Sequence, residues 1–181
     1  MVALRSQGNN AGGGSGASEG NMLLRDPEHI KELIDINLTG MLYCCKAAAK
    51  YMTEQRSGKI INLGSIAGIV GRDRAMYAKA GKKEQPIDYA AAKGGVISAT
   101  RDLAGWLSPF GICVNSISPG GFDKGDLPEK FVQLYSEETP LGRMGIMGED
   151  IKGAALLLAS PAGGYITGHN LVVDGGFSIW K

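Results

Sequence analysis

The sequence predicts an α/β fold in which a parallel sheet is covered by helices on both faces. Short apolar runs at 59–63, 112–117 and 170–173 have the length and composition of buried strands. A segment with helical spacing of apolar residues precedes each run, so helices and strands alternate. Because strands separated by helices are joined by right-handed crossovers, we expect the strands to be parallel.

The first helix is predicted from about 26 to 56. Asp26 can cap its N-terminus, and Pro27 suits the first helical position because no N–H donor is needed there. Apolar residues then recur at helical spacing as far as Met52. The run 59–63 follows this helix directly and forms the first predicted strand.

The rest of the chain continues the alternation. A helix rich in alanine and glycine is predicted at about 88–107 and leads to the strand 112–117. The range 127–148 is expected to combine a loop with a short helix. A helix at 150–159 then precedes the strand 170–173, which a glycine pair ends.

Two segments have the composition of loops, at 8–20, which is rich in glycine, and at 71–86, which is rich in charged residues and leaves room for one helical turn. Gly12 to Ala17 formally fits the dinucleotide-binding pattern G-x-G-x-x-A. That pattern needs a strand before it and a helix after it, and neither is predicted within reach, so we reject the match. We expect residues 1–181 to form a single domain.

The composition argues against several functions. Lys and Arg total 19 against 18 Asp and Glu, so a net charge of +1 gives no field that would attract nucleic acid or a membrane surface. Two His residues and the absence of a CxxC pair predict no metal site, and three Cys are expected as reduced thiols. No apolar run approaches the ~18 residues that span a bilayer, and a cytoplasmic location is the default expectation.

Catalytic chemistry is predicted at Tyr89 and Lys93, which stand four residues apart and therefore share one face of a helix. A cation near a phenol stabilises the phenolate, so we expect the pKa of Tyr89 to fall from its usual ~10. Such a tyrosine can exchange a proton with an alcohol oxygen. Ser65 follows a predicted strand, at the sheet edge where parallel α/β proteins bind ligands. Each signal alone is also compatible with an ordinary surface residue.

Six motifs, in the same order along the chain, resemble those of the short-chain dehydrogenase/reductase family. They are Asn9 to Gly12, the helical Asn37, the strand end Asn62 to Ser65, the pair Tyr89 and Lys93, the run Cys113 to Gly120, and Val173 to Gly176. The resemblance implies a partial doubly wound, Rossmann-like parallel sheet whose first strands are missing. It also implies a homo-oligomer, because the corresponding helices commonly pack against a second subunit in this family.

The resemblance implies a role for each catalytic residue. Tyr89 would be the general acid/base, and Lys93 would lower its pKa and hold the nicotinamide ribose. Ser65 would position the carbonyl or alcohol of a small-molecule substrate. Asn37 would hold a water that connects Lys93 to solvent.

The resemblance also implies NAD or NADP as the cofactor. Asn10, Ala11 and Gly12 would line its adenosine side, and Pro119 and Gly120 would lie beside the nicotinamide. The family's phosphate-cradling glycine turn precedes these residues by several elements. Only eight residues precede Asn9, so we expect an N-terminally truncated chain whose cofactor binding is in question.

Two alternatives therefore stand beside an NAD(P)-dependent oxidoreductase that acts on a secondary alcohol or ketone. One is a truncated, catalytically inactive homologue, and the other is an interaction module. A second tyrosine, Tyr77, lies nearer the usual distance from Ser65, but Gly81 stands where its lysine should be. We therefore assign the role to Tyr89 and interpret 71–86 as an insertion whose basic residues either meet an acidic or sugar-derived substrate or form a solvated loop.

Overall fold

The computed structural model describes residues 5–10, 13 and 19–180. In chain order the helices are α1 (Pro27–Ile34), α2 (Gly40–Gln55), α3 (Arg74–Lys79), α4 (Ile87–Leu107), α5 (Glu129–Glu137) and α6 (Lys152–Ala159). The strands are β1 (Ser6–Asn9), β2 (Gly58–Leu63), β3 (Ile112–Pro119), β4 (Phe122–Asp123), β5 (Gly145–Ile146) and β6 (Asn170–Val173). Within the described ranges, no helix is both long enough and apolar enough to cross a membrane.

Four strands form one sheet in the order β1, β2, β3, β6, and every neighbouring pair is parallel. The register places Asn9 beside Asn62, Asn62 beside Ser116, and Ser116 beside Asn170. The short strands β4 and β5 form a separate parallel pair. The predicted α/β fold with a parallel sheet is confirmed.

Helices cover both faces of this sheet because adjacent strand residues point in opposite directions. Ile60 packs into a core with Met52 of α2 and Val96 of α4. Its neighbour Ile61 packs into a second core with Leu158 of α6. Each face of β2 is therefore buried by a different set of helices.

The first predicted helix is continuous in the structure, but its hydrogen-bonding pattern changes in the middle. A π-helical turn at Asp35–Thr39 joins α1 to α2, and the side chain of Asn37 is buried within it. Arg56 ends α2 in the left-handed conformation, with φ of 52°. A leucine of this turn, Leu38, lies against α4, since a Cβ on Gly95 would be 2.8 Å from it.

The loop expected at 8–20 begins later than predicted. Gly8 and Asn9 belong to β1, where they pair with Ile61 and Asn62. The sequence of β1 is polar, and the strand forms because its backbone hydrogen-bonds to the edge of β2. Most of the remaining glycine-rich stretch lies outside the described residues.

The charged segment 71–86 is also more ordered than a loop. It contains α3, whose first turn is capped by the side chain of Asp73 through hydrogen bonds from the N–H groups of Ala75 and Met76. Met76 and Tyr77 are buried. The correction has a physical reason, because two large apolar side chains in a charged segment can dock that segment onto α5.

Candidate active site

The carboxyl ends of β2 and β3 form the base of the site. Ser65 follows β2 and caps a 3₁₀ turn at Ile66–Gly68, where its Oγ accepts a hydrogen bond from the N–H of Ala67 at 3.1 Å. Gly120 follows β3, and its N–H donates to the carbonyl of Val173 at 2.9 Å. Both turns therefore open at the same edge of the sheet.

Backbone contact fixes the Ser65 turn against α4. A Cβ placed on Gly68 would lie 2.5 Å from the nitrogen of Gly94 and 2.7 Å from the carbonyl carbon of Lys93. Only glycine permits so close an approach of the turn to the helix. The turn that carries Ser65 and the helix that carries Tyr89 and Lys93 are thus held in a fixed relation.

The structure brings Ser65, Tyr89 and Lys93 together. Ser65 and Tyr89 line the same cavity, and the nearby hydroxyl of Ser65 lowers the pKa of Tyr89 because it can hydrogen-bond to the phenolate form. The Nζ of Lys93 lies 5.8 Å from the centroid of the Tyr89 ring. Ser65 and Tyr89 thus lie at the cavity wall, and Lys93 lies close behind Tyr89.

The expected fall in the pKa of Tyr89 is wrong for this structure. Burial of the ring raises the pKa of Tyr89, and this outweighs the lowering by Ser65 and by the positive charge of Arg72. The guanidinium carbon of Arg72 lies 5.6 Å from the Tyr89 ring centroid. The cation that offsets part of the burial is therefore an arginine of the 71–86 segment rather than Lys93.

Lys93 is buried beneath the site. Its Nζ donates a hydrogen bond to the carbonyl of Leu63 at 2.8 Å, at the end of β2. Burial lowers the pKa of Lys93, because the ammonium form loses hydration. None of the ion pairs among the described residues includes this ammonium group.

The side chain of Asn37 bonds to backbone carbonyls rather than to these groups. Its Nδ2 donates to the carbonyl of Leu33 at 3.0 Å and to that of Gly13 at 3.2 Å. Its Oδ1 is buried and has no hydrogen-bond partner among the described residues. Among those residues, no hydrogen bond joins Asn37 to Tyr89 or Lys93.

The predicted cofactor residues fall into three groups. Asn10 is exposed just after β1, while Ala11 and Gly12 lie outside the described residues. Pro119 ends β3, and Gly120 lies at the wall of a cavity beside Ser65 and Tyr89. A Cβ on Gly120 would lie 2.7 Å from the Cβ of Asp174, so the chain there is closely packed.

A cavity of about 240 Å³ opens above Ser65 and Tyr89. Aromatic rings line much of it. Phe131 lies 5.1 Å from Tyr77 by ring centroids, and Tyr135 stacks on Phe177 at 4.3 Å with 10° between the ring planes. The Oη of Tyr135 accepts a hydrogen bond from the N–H of Gly121 at 2.6 Å, which ties this aromatic wall to the end of β3.

The sequence reasoning missed this aromatic wall. Phe131 and Tyr135 stand four residues apart on α5, and that spacing was the available signal within a range predicted as mixed loop and helix. Tyr77 is buried in the same wall. The structure thus places both candidate tyrosines at the cavity, and Ser65 lowers the pKa of Tyr89 but not that of Tyr77.

Two sets of buried polar contacts also support the site. No local pattern in the sequence predicts either of them. Asn62 accepts a hydrogen bond from the Nδ2 of Asn9 at 2.9 Å and donates to the Oγ1 of Thr100 at 3.0 Å. Arg25 forms an ion pair with Asp88 at 2.7 Å, and both side chains are almost fully buried. Asp88 precedes Tyr89, so this pair fixes the first turn of α4 against the segment before α1.

The groups at the sheet edge suit a ligand rich in hydroxyl groups. The buried ammonium of Lys93 has three protons to donate and, among the described residues, one hydrogen-bond acceptor, the neutral carbonyl of Leu63. Hydroxyl oxygens of a ribose would satisfy the others without placing a second charge in the interior. Within the part of the chain that the structure describes, no cluster of three or more His, Cys, Asp or Glu could hold a metal ion.

Comparison with known proteins matches this geometry to one family. The profile of a family described as enoyl-(acyl carrier protein) reductase matches residues 7–178. A 3-oxoacyl-(acyl-carrier-protein) reductase of Synechocystis is 38% identical over 169 residues, which are 92% of this chain and 63% of that protein. A cyclohexanol dehydrogenase of Rhodococcus is 38% identical over 177 residues, or 93% of this chain and 61% of that protein.

Solved structures agree. A short-chain dehydrogenase of Leptospira borgpetersenii with bound NAD+ superposes with a TM-score of 0.84 at 34% identity, covering 96% of this chain and 63% of that one. A gluconate 5-dehydrogenase of Burkholderia cenocepacia, in complex with NADP and tartrate, has a TM-score of 0.84 at 29% identity, covering 98% and 66%. The chain thus spans less than two thirds of the length of these proteins.

Proposed function

Because the chain belongs to the short-chain dehydrogenase/reductase family, we propose that it transfers hydride between NAD or NADP and a small secondary alcohol or ketone. Ser65, Tyr89 and Lys93 are the proposed catalytic residues. The proposal depends above all on one observation, that Ser65 and Tyr89 line the same cavity beyond the carboxyl ends of β2 and β3.

Tyr89 supplies the proton in this proposal. In the reduction of a ketone, the carbonyl carbon gains a hydride and the carbonyl oxygen gains a proton from the Tyr89 Oη. The raised pKa of Tyr89 keeps the phenol protonated, which suits this direction. Ser65 donates a hydrogen bond to the same oxygen and so holds it within reach of the phenol.

Lys93 and Asn37 support the proton transfer. Arg72 and Lys93 are the two cations beside the Tyr89 ring, and they would stabilise the phenolate that remains when Tyr89 has given up its proton, since an opposite charge favours the ionised form. The buried Oδ1 of Asn37 is an acceptor for a water that would return a proton toward Lys93.

The nicotinamide ring, when bound, supplies or accepts the hydride. Lys93 would hold its ribose through the ammonium protons left free by the Leu63 carbonyl. Gly120 and Pro119 would flank the ring at the end of β3. Asn10, Ala11 and Gly12 are the proposed contacts on the adenosine side.

The test is reduction of cyclohexanone with NADH and with NADPH, followed by cofactor absorbance, for the wild type and two matched variants. Tyr89→Phe removes the proposed acid, and we expect kcat to fall by about 10³-fold. Tyr77→Phe removes the equivalent hydroxyl from the same cavity, and kcat should stay within about threefold of the wild type, a change of under 1 kcal/mol in the barrier.

Other results would reassign the chemistry. A loss confined to Tyr77→Phe would make Tyr77 the acid, despite its lack of a lysine one turn on. Failure of the wild-type chain to bind either cofactor saturably, by fluorescence titration, would favour the inactive homologue over the oxidoreductase.

A further inference from the structure

Arg72 is a half-buried cation whose protein partners are all neutral. Its Nη1 donates to the carbonyls of Gln85 and Pro86 at 3.1 and 3.3 Å, and its Nη2 donates to the Oε1 of Gln85 at 2.9 Å. Burial lowers the pKa of Arg72, because the charged form loses hydration. A guanidinium withdrawn from water is stabilised most by a carboxylate, and Arg72 takes part in none of the ion pairs among the described residues.

The neighbouring carboxylates are already engaged. Asp88 acts on Arg72 electrostatically but is bound to Arg25. Glu84 pairs with Arg74 on the outer side of the segment. Asp73 lies at the cavity wall, and its Oδ1 accepts two N–H bonds at the start of α3.

A second cation faces the same cavity. The Nζ of Lys82 lies 5.2 Å from the centroid of the Phe131 ring, and no carboxylate among the described residues forms an ion pair with it. Arg72 and Lys82 both line the cavity together with Ser65 and Tyr89. The wall made by 71–86 therefore carries two positive charges against the one negative charge of Asp73.

Aromatic rings form another side of the cavity. Of these rings, Phe131 and Tyr135 come from α5 and Phe177 from the C-terminal turn. Its volume of about 240 Å³ lies below the ~300 Å³ at which pockets begin to hold drug-sized ligands. A single ring with small substituents suits this space better than an extended chain.

We infer that the preferred substrate is a small cyclic ketone or secondary alcohol that carries a carboxylate, with its ring against the aromatic wall and its carboxylate on Arg72 and Lys82. This substrate class rests on the proposed function, because it assumes that the oxygen to be protonated lies at Ser65 and Tyr89. The recognition of the carboxylate, however, requires no cofactor and no reaction.

The test separates binding from catalysis. The unreactive pair cyclohexanecarboxylate and cyclohexanecarboxamide is titrated into the 181-residue chain by ligand-observed NMR, without cofactor. We expect the carboxylate to bind about tenfold more tightly than the amide. This is the difference in affinity that one charge-assisted hydrogen bond contributes. Arg72→Gln should remove that preference and leave the affinity for the amide within about twofold.

Matched variants separate a specific contact from general charge. Arg72→Lys keeps the charge and should keep part of the preference. Lys82→Gln should reduce the preference about threefold, and its partly exposed side chain makes it safe for folding. Lys83→Gln removes an exposed charge outside the cavity wall and should change nothing. Thermal melts check that each variant is folded.

Equal affinity for the carboxylate and the amide, or no saturable binding of either, overturns the inference. So does a loss in Lys83→Gln as large as that in Arg72→Gln. A chain that prefers the carboxylate but reduces no ketone would remove the proposed function and leave the anion site. Reduction of 4-oxocyclohexanecarboxylate and cyclohexanone with equal kcat/KM would remove the anion site alone.

Discussion

Two of the walls of the cavity, the sheet edge with α4 and the segment 71–86, are held in different ways. The wall with Ser65, Tyr89 and Lys93 rests on close backbone contact between Gly68 and Gly94 and on buried hydrogen bonds beneath it. The wall formed by 71–86 is held by a helix cap, by two buried side chains and by the partly exposed pair of Arg74 and Glu84. Exposed ion pairs add little to stability, so this second wall has the weaker attachment.

The difference separates two tasks. Proton transfer needs donor and acceptor held to a fraction of an ångström, and the sheet edge with α4 supplies that rigidity. Selection among substrates needs side chains that can vary without disturbing the sheet, and a segment attached mainly through its own contacts allows this. The proposed chemistry therefore belongs to the first wall and the proposed anion recognition to the second.

The largest expected effect is that of Gly68→Ala. The added methyl would meet backbone atoms of Gly94 and Lys93 at 2.5 to 2.9 Å, and backbone cannot swing aside as a side chain can. We expect a loss of about 3 kcal/mol in the free energy of unfolding, measured in urea. The matched control is Gly71→Ala in the other wall, where a Cβ would meet nothing within 4 Å. Equal effects of the two substitutions would contradict the difference between the walls.

A smaller effect is expected from Thr100→Val, which acts on the support beneath the first wall. Thr100 is fully buried, and its Oγ1 accepts the hydrogen bond from Asn62. The nearly isosteric change leaves the Asn62 amide unpaired and should cost about 2 kcal/mol in unfolding free energy. Thr53→Val removes a similar helical hydroxyl that bonds only to backbone carbonyls, and it should cost less than about 0.5 kcal/mol. A Thr100→Val protein as stable as its control would show that the buried network is not the support.

The two walls also differ in how far the sequence predicts them. The strand predicted at 59–63 is found at Gly58–Leu63, and the one at 170–173 is found without change. Apolar runs of β-branched residues carry their own burial signal, and Tyr89 and Lys93 share a helix face by spacing alone. Most of the first wall can therefore be predicted from local sequence patterns.

The second wall depends on contacts between distant residues. The bonds of Arg72 reach Gln85 and Pro86, and Tyr77 meets Phe131. No spacing rule places an arginine over the ring of Tyr89. The pKa of Tyr89 also depends on distant contacts. A nearby cation lowers the pKa of a tyrosine, but here the burial of the ring raises it by more.

The smallest effect belongs to Asp73→Ala, and it sharpens the comparison most. Asp73 caps α3 through the N–H groups of Ala75 and Met76, and loss of an N-cap costs about 1 kcal/mol. Since α3 has few attachments, we expect local opening, seen as faster hydrogen exchange of the amides of 74–79 while exchange in β2 is unchanged. Asp73→Asn keeps the cap without the charge and should preserve the protection, since asparagine caps as well as aspartate. If neither variant exchanges faster, the buried Met76 and Tyr77 are enough to hold this wall, and it is fixed as firmly as the sheet edge.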